Sequence, residues 1–105
     1  MIHEGEKELA QGVQRELLQM RSRPTPPTID ELEELVVKVI DAESGKWDSR
    51  RLIDNIRTDV SIAIGGIIES MQHERGDLSI RWATAIDKAQ QWIRAVELVD
   101  LDRVA

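Results

Sequence analysis

Apolar positions along this chain recur with a helical period, and no stretch alternates as a strand would. From about His3 to Met20, Leu9, Val13, Leu17 and Met20 are spaced by four, four and three residues. That spacing puts them on one helical face with Ala10 beside them. Gly5 and Gly12 weaken this segment, each by about 1 kcal/mol of helix propensity. Arg21-Ser22-Arg23-Pro24-Thr25-Pro26-Pro27 then ends it, because proline lacks an amide donor and drives its predecessor toward extended geometry.

Thr28-Ile29-Asp30-Glu31 reads as a capping box. The Thr28 hydroxyl accepts from the Glu31 amide, and the Glu31 carboxylate reaches back to the Thr28 amide. Ile29, Leu32, Val36, Val39 and Ile40 form the apolar stripe that follows, and Gly45 closes it. Trp47 precedes a third segment, capped by Asp48 or Ser49 and running from about Ser49 to His73. There Leu52, Ile56, Val60, Ala63, Ile67 and Met71 line one face, widened by Ile53, Ile64 and Ile68. After Glu74-Arg75-Gly76, Asp77 or Ser79 starts a last helix that runs to about Leu98. Its stripe is Trp82, Ala85, Ile86, Ala89, Trp92, Ile93 and Val96.

Helices with one apolar stripe must bury it against each other. The expectation is all-α: a small four-helix bundle, or a three-helix core plus an N-terminal helical arm. Residues 1–105 make a single helical domain: an N-terminal helix over 1–22, a proline-rich joint over 23–28, a core over 29–98 and a frayed tail over 99–105.

Composition narrows what such a bundle can do. The 105 residues include three Trp and no Phe or Tyr, so few aromatic platforms exist for stacking bases or sugars. The net charge is −6, and most of it is local: residues 29–48 hold seven acids against two lysines. Phosphate backbones and anionic membranes repel such a chain, whereas a basic protein surface attracts it. Arg75, Arg81, Arg94 and Arg103 are dispersed, unlike a nucleic-acid-binding face. The absence of cysteine excludes disulfides and thiolate zinc sites and fits a cytoplasmic location. The first residues lack the apolar core of a signal peptide, and Val60 to Ile68 is too short to span a bilayer.

Each catalytic pattern that the chain approaches lacks a required residue. All-helical nucleotide pyrophosphatases carry Glu-Glu-x-x-Glu on one helix, but here Glu33-Glu34-Leu35-Val36 is followed by Val37. The companion Glu-x-x-Asp is broken too, with Ile56 standing where Asp59 needs a glutamate. His3 and His73 have no second ligand at metal spacing. No nucleophile elbow, phosphate-binding glycine loop or His-Glu-x-x-His occurs. No cofactor or metal is expected.

Two stretches stand out as candidate interfaces. Gly65 and Gly66 together cost a helix roughly 2 kcal/mol against alanine, so a close approach should offset them. Small residues recur four apart at Ser61/Gly65 and Gly66/Ser70. Ile62 lies on the opposite side from the third helix's stripe and wants a second apolar neighbour, supplied by the first or last helix or by another molecule. Glu69 shares that side. On the second helix Asp30, Glu34 and Asp41 face away from the stripe, where a basic partner could dock. Trp47 is either a lid on the core or an exposed anchor.

Taken together, these patterns predict a non-enzymatic protein–protein interaction module (a regulator, adaptor or inhibitor), homodimeric, that docks a helix face on a partner protein. The candidate interface is Ser61, Ile62, Gly65, Gly66 and Glu69 with Asp30, Glu34, Asp41 and Trp47. Neither nucleic acid nor membrane is expected as a partner. The alternative is a structural subunit of a larger assembly, such as a phage or secretion particle component. The second alternative is a metal-dependent all-α nucleotide hydrolase.

Overall fold

Helix starts and stops follow the local chemistry of the chain in a computed structural model that describes residues 2–42, 51–74 and 76–104. Side-chain environments are described for residues 6–40, 53, 55–74 and 76–98. The helices are α1 (Ile2–Ser22), α2 (Ile29–Ala42), α3 (Arg51–His73) and α4 (Leu78–Val104), with no strand among the described residues. The Thr28 hydroxyl accepts from the Glu31 amide at 3.2 Å, as a capping box requires. The Glu31 carboxylate pairs instead with Arg23 across the joint. Asp77 caps α4, its Oδ1 accepting from the amides of Ser79 at 3.0 Å and Ile80 at 3.4 Å. Before it, Glu74 (φ 51°) and Gly76 (φ 74°) take left-handed backbone and reverse the chain after α3.

The result is an all-α four-helix bundle, 47 × 22 × 20 Å in extent. Its helices adjoin in the order α2, α3, α4, α1. α1 therefore packs in the bundle against α4 and is not a free arm. An ion pair from Lys38 to Glu16 at 3.0 Å joins α2 to α1 across the remaining side.

Burial follows from this order. α4 lies between two neighbours and buries Trp82, Ala85, Ala89, Trp92, Ile93, Ala95 and Val96. The alanines let neighbouring helices approach while the tryptophans fill the space beside them. α2 has one main neighbour, α3, so it buries only the narrow face of Leu32, Leu35 and Val39. The sequence stripe of α2 is corrected here: Leu35 is buried, Val36 is half-buried and Ile40 is exposed. On α3 the buried line is Ile53, Val60, Ile64 and Ile67, with Ile56, Ala63 and Met71 half-buried beside it. α4 continues to Val104, past the expected end near Leu98.

Candidate functional site

Two helices carry an ion where their core stripe calls for an apolar residue. Glu6 precedes Ala10, Val13 and Leu17 on the buried line of α1, and Arg57 falls between Ile53 and Val60 on that of α3. Neither side chain keeps more than 2% of its surface. One oxygen of Glu6, Oε1, accepts from Arg57 Nε at 2.7 Å, from Arg57 Nη2, and from the indole N–H of Trp92 at 3.2 Å. The other oxygen, Oε2, is buried and has no hydrogen-bond partner among the described residues. The indole and guanidinium thus converge on a single acceptor atom. A substrate cannot reach this cluster, because none of its members opens to solvent. Its effect is to fix how α1 seats on α3 and α4.

The outward chemistry lies on two other surfaces. Along α2, Asp30, Glu33, Glu34, Val37 and Lys38 line an open groove of about 580 Å³. Val37, the apolar residue of that lining, is 57% exposed, and Ile40 is exposed one turn further on. Lys38 is held by Glu16 of α1, so the uncompensated charge around Val37 is negative.

The second surface is the outer seam of α3 and α4. Asp59, Ile62, Ala63, Ile80, Arg81, Thr84 and Lys88 line a groove of about 380 Å³ there. Ile62 is 66% exposed and Ile80 is 62% exposed. Neither α1 nor α4 covers Ile62, contrary to the internal-cover expectation. α4 stands beside it but contributes a second bare isoleucine instead of a lid.

No protein family, curated protein or solved structure matches this chain.

Most residues expected at an interface fall within the described part of the chain. Asp30 and Glu34 share the α2 groove, and Glu33 and Val37 join them. Asp41 belongs to α2, but its side chain lies outside the described residues, as does Trp47 altogether. Ile62 lines the α3–α4 seam. Ser61 turns its hydroxyl back to the Thr58 carbonyl at 2.8 Å, and Glu69 is exposed. The two glycines have separate explanations. A Cβ on Gly66 would stand 2.9 Å from Arg81 Nη1, so this glycine admits the arginine of α4. Around Gly65 a Cβ would meet nothing within 4 Å, so no contact inside the chain requires it.

Sequence reasoning missed Ile80, Val37 and the Glu6–Arg57 pair. The signal was present for all of them. Ile80 and Val37 fall off their helices' stripes, and Glu6 and Arg57 fall on them.

Among the described residues, no cluster of His, Asp and Glu could hold a metal ion. No described helix is long and apolar enough to cross a membrane.

Proposed function

We propose that this chain is a non-enzymatic protein–protein interaction module that docks the outward face of α2 on a basic surface of a partner protein. The observation that carries this reading is Val37, a β-branched apolar residue left bare at the middle of a helix whose buried face is already complete. Asp30, Glu33 and Glu34 surround it on its N-terminal side. An apolar centre with a charged rim is the usual anatomy of a docking patch. The rim sets the sign of the partner: a surface rich in Lys or Arg around an apolar anchor.

Affinity capture from the native source, with mass spectrometry, tests this. Wild type should retain a basic protein at low salt and release it as ionic strength rises. Val37→Glu should lose that protein, by at least about tenfold in yield, since a central anchor dominates such patches. Glu33→Lys/Glu34→Lys should lose it as well, whereas Ile62→Glu should keep it. Capture that is indifferent to both α2 variants, or no capture at low salt, counts against the reading.

A further inference from the structure

We infer that the outer seam of α3 and α4 is a two-fold self-association face, occupied by a second copy of this chain. The inference does not rest on the α2 reading, because it concerns another face and another occupant.

The seam has an apolar centre and no cover within the chain. Ile62 and Ala63 from α3 and Ile80 and Thr84 from α4 line the groove. Each isoleucine leaves more than half of its surface in water. The groove is open enough to receive the same isoleucines from another molecule. On the Ile62 side of α3, Gly65 follows one turn later with open space where a side chain would stand. A second helix backbone can therefore come close there.

The charges select the occupant. A two-fold interface brings one patch against itself, so the patch must be complementary to its own copy. The seam satisfies this because it carries both signs: Asp59 on α3, with Arg81 and Lys88 on α4. Asp59 and Lys88 are 3.9 Å apart, too far for a hydrogen bond, and are free to exchange partners. Arg81 has no carboxylate partner among the described residues, and its guanidinium lies along Gly66 and Gly76. In a two-fold pair on this face, Asp59 of one chain would have Arg81 or Lys88 of the other as its partner. The α2 groove cannot do this, since its uncompensated rim is acidic and would repel itself.

Light scattering coupled to size exclusion, run on the full chain from micromolar to near-millimolar concentration, decides the matter. Wild type should move from the 12.0 kDa of one chain to twice that mass as concentration rises. Ile62→Glu and Ile80→Glu should each stay at one chain throughout, with wild-type helicity and, at concentrations where wild type is also one chain, the wild-type melting temperature, because both positions are exposed. Asp59→Lys should weaken association by about threefold or more, and adding Lys88→Asp should restore it. Val37→Glu should leave the mass unchanged, which separates this face from the α2 face. The inference is overturned if wild type remains one chain at every concentration, or if both glutamate variants associate like wild type. Growth beyond two chains also overturns it, because a two-fold contact closes on itself. So does a wild-type chain that is monomeric alone but captures a foreign protein through Ile62.

Discussion

At the scale of single residues, the decisive interaction is the buried meeting of Glu6, Arg57 and Trp92. Removing one partner of a buried ion pair costs about 3–5 kcal/mol, because the other charge is left without compensation. Glu6→Ala should therefore lower the melting temperature by about 12 °C or more, as followed by circular dichroism. The paired change Glu6→Leu/Arg57→Met should recover most of that loss, since apolar side chains of similar size suit the same space. If the double variant melts no higher than Glu6→Ala, the pair does not act as a unit. This cluster was legible in principle. Glu6 stands four residues before Ala10, in phase with the α1 stripe, and Arg57 stands four after Ile53. Sequence reading passes over such positions because an ion on a stripe usually means that the helix face ends there. Only the meeting of the two stripes shows that the charges pair.

The starts of α2 and α4 and the turn after α3 were readable from local chemistry, whereas the end of α4 at Val104 was not. Thr28, Asp77 and Gly76 each do what their residue type predicts: two cap a helix start and one takes left-handed backbone. How far a helix is turned toward its neighbours was less readable. The stripe of α2 was centred too near Ile40 because periodicity alone does not say that one neighbour, α3, does most of the covering. The glycines give the sharpest tests at this scale. Gly12→Ala adds a methyl group to open space in α1 and should stabilise the fold by about 0.5–1 kcal/mol in urea titration. Gly76→Ala should do the reverse, by about 1–2 kcal/mol, because its φ of 74° disfavours any Cβ. Glu74 holds a φ of 51°, so Glu74→Gly should not destabilise despite the extra freedom it gives the unfolded chain. A clear loss of stability in that variant would contradict the reading of this turn.

For the whole molecule, the class of fold followed from four amphipathic segments, whereas the place of α1 did not follow from them. The proline-rich joint is compatible with either a packed helix or a free arm. Packing is decided by partners far away in sequence: Trp92 and Arg57 for Glu6, and Gln90 for Gln14 at 2.7 Å. Removing residues 1–22 should therefore take the Glu6 carboxylate away from Arg57 and Trp92. The expected product has helical far-ultraviolet dichroism but no fixed tryptophan environment in the near ultraviolet. A truncated chain that keeps a sharp melt and a native near-ultraviolet signal would mean that α1 is dispensable. Among the described residues, the inside of the bundle holds apolar packing and the Glu6–Arg57–Trp92 cluster, with Glu6 Oε2 and Ser70 Oγ left without hydrogen-bond partners, and the exposed apolar chemistry lies on the outer faces of α2 and of α3 with α4.

The claim that α2 is the docking face is tested most directly by photo-crosslinking in the native cell. A photoreactive residue would replace Val37 in one sample and Arg94, an exposed position on α4, in another. The account predicts one discrete adduct with a basic protein from position 37, lost when Glu33 and Glu34 are changed to lysine, and none from position 94. The same adducts from both positions, or no adduct from position 37, would contradict it.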